Sequence, residues 1–223
     1  MEPNWATEHL HVIRTLMERA ALYRRALAPV MILNGALGAL AALAGIPVGI
    51  TTPRLFIGYW MGVAVVAVVG SFLLVRRQAL KDHEQFWSPP TRRVAQALLP
   101  PLFVGFALGA ALLLPRNALG VGHLLPGTAR EVVAGSDPLL WLPLIWAALY
   151  GCAVHAAGFF MPRGMKLFGW ALVLASSALC ALGLAQRLSE PAFAHAFMGL
   201  FFGATHLAYG IYLYFTEPRR QEP

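Results

Sequence analysis

Apolar residues fill six long stretches of this chain, at 27–46, 55–75, 94–114, 138–161, 166–185 and 191–215, with short polar segments between them. Each stretch is near the roughly 20 apolar residues that cross about 30 Å of hydrocarbon. The pattern predicts an all-α fold, a polytopic transmembrane bundle of six spans over 26–216 with a short tail at 217–223. Prolines stand at or near several predicted ends, namely Pro47, Pro53, Pro115, Pro138 and Pro191, where helices start or stop. Pro100 and Pro101 fall inside the third span and predict a bend there. A bilayer tolerates such a bend when neighbours re-satisfy the freed carbonyls.

Residues 1–25 carry a different pattern. Leu10, Ile13, Met17 and Ala20 recur at helical spacing, and Glu8, Arg14, Glu18 and Arg19 lie largely off that stripe. An amphipathic helix is predicted, lying in the headgroup plane with its arginines toward anionic lipid. No cleavable signal peptide is expected, because the first apolar stretch follows a charged segment without an h-region.

Composition agrees with hydrocarbon as the solvent. Of 223 residues, 58% are hydrophobic and only 12% charged, about half the charge usual in a soluble domain. Six spans and their loops leave no room for a soluble catalytic domain. The net charge of +7 is read as topology rather than nucleic-acid binding. With the N-terminus inside, Arg14, Arg19, Arg24, Arg25, Arg76, Arg77, Lys81, Arg92, Arg93, Arg163, Lys166, Arg219 and Arg220 fall on the cytoplasmic side. Arg54, Arg116, Arg130 and Arg187 fall outside. Thirteen cations against four obey the positive-inside rule and put both termini in the cytoplasm of a bacterial-type inner membrane.

Two loops carry local signals. Thr128-Ala129-Arg130-Glu131 is a capping-box pattern and predicts a short surface helix through Ala134 in the outer loop 115–137. Ser88-Pro89-Pro90 makes the inner loop 76–93 a stiff connector. An internal repeat is also visible. Ala26-Leu27-Ala28-Pro29 is echoed by Ala97-Leu98-Leu99-Pro100, and Ala36-Leu37-Gly38-Ala39 by Ala107-Leu108-Gly109-Ala110, with a weaker copy at Ala178-Leu179-Cys180-Ala181. Paired glycines mark the even spans: Gly62 and Gly70, Gly151 and Gly158, Gly203 and Gly210. These features point to three helical hairpins (2+2+2) with close backbone approach, and small-residue faces permit self-association or a partner membrane protein.

The spans hold little chemistry. No Asp, Glu, Lys or Arg lies in a span core, Lys166 sitting at the cytoplasmic end of the fifth. Ion-coupled transporters and proton pumps usually need such groups. There is no Walker-type loop, His-Glu-x-x-His or Gly-x-Ser-x-Gly, so an enzyme is not expected. The two cysteines, Cys152 and Cys180, lack metal or disulfide spacing and read as buried small apolar residues.

Polar residues at shared depth remain. At 1.5 Å per residue, His155, His206 and Asn34 sit roughly 9, 14 and 10 Å from the inner face, with Tyr209 close by and Tyr150 deeper. Asn34, Tyr150, His155, His206 and Tyr209 are therefore the candidate ligand-binding pocket. His195, eleven residues before His206, is expected on nearly the same helix face near the outer surface. The leading reading is interhelical hydrogen bonding without a cofactor. The sharper alternatives are a small-molecule pocket and a b-type haem or metal held by His155 and His206. Trp60, Trp141, Trp146, Trp170, Tyr59, Tyr212 and Tyr214 read as an aromatic belt.

Four motifs carry a resemblance: Ile13-Arg14-x-x-Met17-Glu18, Leu99-Pro100-Pro101-Leu102, Leu149-Tyr150-Gly151 and Gly203-x-x-His206-x-x-x-Gly210. In this order the chain resembles a family of small, uncharacterised bacterial six-span inner-membrane proteins, departing from it over residues 22–29. That resemblance implies no activity, substrate or cofactor. The family's proximity to winged-helix regulators implies a membrane component of a regulated response. The expected function is non-enzymatic, as sensor or accessory subunit or as small-molecule permeation unit; the alternative is a haem- or metal-binding redox protein.

Overall fold

A computed structural model describes residues 21–81, 86–114, 138–161, 163–182 and 184–216. The expected amphipathic helix up to residue 20, the outer-loop helix at 128–134 and the tail at 217–223 lie outside the described residues. Those residues are helical, with no strand among them. The elements are α1 (Ala21–Gly45), α2 (Pro53–Lys81), α3 (Pro89–Leu113), α4 (Pro138–Ala157), α5 (Arg163–Ala181), a 3₁₀ turn (Leu184–Ser189) and α6 (Pro191–Thr216). Five of the six helices are long and apolar enough to cross a membrane. In the other, α4, the apolar run is Trp141–Ala157.

Proline sets the starts. Pro53, Pro89, Pro138 and Pro191 are each the first residue of a helix, where a fixed φ is already helical and the missing N–H is no loss. The expectation of a stiff connector at Ser88-Pro89-Pro90 is corrected: these prolines open α3, and the helix begins five residues before the apolar run. α2 likewise continues through Arg76, Arg77 and Gln78 to Lys81. Hydrocarbon ends at the last apolar residue, but the backbone ladder need not.

α1 ends in a turn the prolines alone do not specify. Gly49 has φ +84°, Ile50 N–H donates to Gly45 O and Gly49 N–H to Ile46 O, both at 2.9 Å. That is a Schellman closure, which favours glycine at its left-handed position. It leaves the Ile50 carbonyl aimed back into the bundle.

The closest backbone approaches lie between α1 and α6 and between α4 and α5. A Cβ on Gly35 would lie 2.5 Å from Leu207 N, one on Gly203 2.7 Å from Ala39 N, and one on Gly210 2.9 Å from Ile32 N. The partner numbers fall along one helix as they rise along the other, so α1 and α6 run antiparallel. On the other side, Gly151 and Gly169 face each other, each Cβ position 2.7–2.8 Å from the other's carbonyl oxygen. α1 also packs extensively on α2 and α3 on α4, as the first two expected hairpins would, whereas the α1–α6 and α4–α5 seams join helices of different hairpins.

Side-chain hydrogen bonds tie the helices where apolar contact gives no register. Tyr59 donates to Ala41 O (2.7 Å), Ser71 to Asn34 Oδ1 (3.1 Å), Arg54 to Leu113 O (3.2 Å) and Trp146 to Gly105 O (2.8 Å). Each is worth about 0.6 kcal/mol on average in a bilayer, since the unpacked helix also finds partners. The larger apolar core centres on Phe56, Trp60, Leu144, Ala147, Phe197 and Phe201. A smaller one gathers Leu27, Met31, Val154, Met165 and Leu213 at the end where α1 begins. The outer faces are apolar too, as with Val65, Val66 and Val69 on α2 and Phe103 on α3. Cys152 and Cys180 belong to this outer surface, a correction to their reading as buried thiols.

Candidate functional site

α6 is not one uniform helix. Between the α-helical Pro191–Met198 and Thr205–Thr216, residues Gly199–Ala204 form a π segment. Thr205 N–H donates to Leu200 O, five residues back, so the Phe201 carbonyl is not claimed by the N–H four residues on. Two side chains use that carbonyl instead: Thr205 Oγ1 donates to it, and His206 Nδ1 lies 3.2 Å from it. π segments often sit at functional sites because they release such a group.

The carbonyl fixes the imidazole. An oxygen without a proton can only accept, so His206 carries its proton on Nδ1 and leaves Nε2 as an acceptor. Tyr150 from α4 donates its hydroxyl to that nitrogen at 2.7 Å. The pair is enclosed by rings: Phe168 of α5 meets His206 edge-on at 5.0 Å between centroids, and Phe202 meets Tyr150 at 5.3 Å. Phe168 also stacks on Tyr209 at 5.2 Å. His206 is 1% exposed. The site is therefore a chain of phenol, imidazole and carbonyl that joins α4 to α6, buried at its imidazole and half-buried at its phenol.

Of the five expected pocket residues, this arrangement gathers Tyr150, His206 and, through Phe168, Tyr209. It leaves out the other two. Asn34 turns to Ser71 on α2. His155 Nδ1 donates to Lys166 O at 3.3 Å, and its ring packs on Phe159 and Trp170. His155 lies five residues beyond Tyr150, about 7.5 Å further along α4, so it does not share the depth of His206. Both nitrogens of His206 are already bonded within the chain. A ligand at His206 would have to displace either the Tyr150 hydroxyl or the Phe201 carbonyl. Among the described residues no group of three or more His, Cys, Asp or Glu could hold a metal.

His195 is buried at the end of the bundle that carries the turn after α1. His195 is 1% exposed, lies 3.0 Å through Nε2 from Ile50 O, and accepts from Trp60 Nε1 at 3.3 Å. An indole N–H can only donate, so Nδ1 is bare and Nε2 carries the proton. The rings of Phe56 and Tyr59 flank it at 5.0 and 5.9 Å, and any side chain on Gly45 would overlap it. Trp60, 3% exposed, is thus no belt residue but a core hydrogen-bond donor. Trp170, Tyr212 and Tyr214 do face outward. The expected common face of His195 and His206 also fails: one meets α2 and the other α4. The π segment between them inserts an extra residue, which turns the C-terminal half of α6 by about 100° relative to a plain α-helix. The signal available in sequence was the short Gly199–Gly203 interval next to Thr205, but no periodicity locates a π turn.

No protein-family profile, curated protein or solved structure matches this chain.

Proposed function

We propose that this chain is a six-span protein of a bacterial inner membrane, with both termini in the cytoplasm, acting as a non-enzymatic sensor or accessory subunit. One observation carries the functional half of the reading. Among the described residues, polar side chains buried or half-buried in the bundle are bonded within it: His206 to Tyr150 and Phe201 O, His195 to Trp60 and Ile50 O, Asn34 to Ser71. A permeation unit needs polar atoms turned to a lumen, and a catalyst needs groups left over for a substrate. This bundle instead uses its polarity for helix register.

Support for six spans comes from length. α4 has 20 residues, about 30 Å at 1.5 Å per residue, which equals the hydrocarbon thickness. Support for orientation comes from charge, since Arg76, Arg77, Lys81, Arg92, Arg93 and Lys166 gather at one end of the helices. The four motifs that resemble those of bacterial six-span proteins favour a membrane component of a regulated response. Gly58 and Gly62, open on α2, leave a small-residue face for association with a second membrane protein or another copy.

The test has two arms. Reporter fusions at residue 1, residue 223 and the 49–52 turn should place both ends in the cytoplasm and the turn outside; ends in opposite compartments refute six spans. Protein purified from its own membrane should be colourless and give no solute flux in proteoliposomes. A Soret band lost in His155→Ala and His206→Ala would instead establish the haem reading, and selective flux would establish permeation.

A further inference from the structure

The start of α3 presents a charged cleft that does not involve the Tyr150–His206 pair. Trp87, Pro89, Arg92, Arg93 and Gln96 line a space of about 340 Å³. Its walls are held from below. Ser88 Oγ and Thr91 Oγ1 share a buried hydrogen bond at 2.9 Å, and Phe72 of α2 meets Phe86 edge-on at 5.0 Å, with Trp87 next in line at 6.0 Å. Arg93 is steadied by the Phe160 ring beyond α4, 5.9 Å from its guanidinium carbon. Among the described residues neither Arg92 nor Arg93 has an acidic partner. Pro89 and Pro90 occupy the first two helical positions, so the helix end lacks those N–H donors and the arginines supply the positive charge.

The face above the cleft has the complementary character. Gln96, Leu99, Phe103 and Phe106 follow at helical spacing along α3, and the last three are 61%, 71% and 48% exposed. Two cations, one of them steadied by a ring, and an amide thus stand below an apolar stripe, with an exposed tryptophan at the boundary where indoles prefer to sit. A soluble anion would use the cations and leave the stripe idle. A phospholipid uses both.

We propose that this cleft is a binding site for one anionic phospholipid. Its phosphate accepts from the guanidinium groups of Arg92 and Arg93, its glycerol or headgroup oxygens meet Gln96, and an acyl chain lies along Leu99 and Phe103. Arginine suits this role because its planar fork gives two parallel hydrogen bonds to phosphate oxygens.

The full chain, delipidated in neutral detergent, tests the site by native mass spectrometry against phosphatidylglycerol, phosphatidylcholine and inorganic phosphate. Phosphatidylglycerol should bind at least tenfold more tightly than phosphatidylcholine, and millimolar phosphate should not displace it. Arg92→Gln with Arg93→Gln should weaken it by about thirty-fold, from the usual contribution of two surface arginines. Arg76→Gln with Arg77→Gln, which removes equal charge, should have little effect. In the unmodified protein, phosphatidylglycerol should shield Arg92 and Arg93, but not Arg76 and Arg77, from an arginine-directed dicarbonyl reagent. Equal effects of the two double variants, equal labelling of all four arginines, or displacement by inorganic phosphate would each overturn the proposal, the last in favour of a soluble phosphate ligand.

Discussion

Two glycine-to-alanine changes of identical chemistry should move stability in opposite directions. At Gly38, in the α1 seam, a Cβ would lie 2.6 Å from the Phe202 carbonyl carbon and 2.8 Å from Gly203 N, whereas ordinary contact begins at 3.4 Å. Both obstacles are backbone, so α6 itself must retreat by about 0.8 Å. A gap of that size forfeits a quarter to a half of the dispersion attraction for every atom pair along the seam. Overpacking of this kind costs about 1–3 kcal/mol. The gain in helix propensity returns about 1 kcal/mol, leaving Gly38→Ala destabilised by up to about 2 kcal/mol. At Gly62, on the outer face of α2, nothing lies within 4 Å of the added atom. There only the propensity term acts, and Gly62→Ala should be stabilised by up to about 1 kcal/mol. At about 2–4 °C per kcal/mol for a chain of this size, melting temperatures in detergent should differ by roughly 2–12 °C between the variants. If the two melt together, the close approach of α1 and α6 is wrong.

The buried polar pairs give further expectations. A double-mutant cycle with Tyr150→Phe and His206→Leu should give a coupling near the upper end for bilayer hydrogen bonds, about 1–1.7 kcal/mol; additive losses in the melt would show that the pair does not interact. Tyr150→Phe alone should cost about 1–3 kcal/mol, because it strands a buried imidazole nitrogen. Trp60→Phe should likewise cost about 1–3 kcal/mol by orphaning His195 Nδ1, whereas Trp170→Phe, at an outward position, should change the melting temperature by less than about 2 °C. Thr205→Val removes one of the two side-chain donors to Phe201 O and should lower stability by about 0.5–1.5 kcal/mol, a loss absent if that carbonyl were satisfied by the backbone alone.

The chain's own residues determined the solvent and the elements. Apolar runs of span length, with charge swept to their ends, are required by hydrocarbon whatever the helices pack against, so the helical class and each helix were legible in order. Helix ends were less so, because Pro89 and Lys81 extend the ladder past the last apolar residue into polar sequence. Within the candidate site the residue types were legible and the partnerships were not. In a bilayer a buried His or Asn must bond to something, which singled out His155, His206 and Asn34. Which helix answers depends on rotation about each axis, and apolar side chains facing lipid leave that rotation unmarked. Tertiary packing decided it, through the glycine seam that draws α6 onto α1 and the π segment that turns His206 from the face of His195 toward Tyr150.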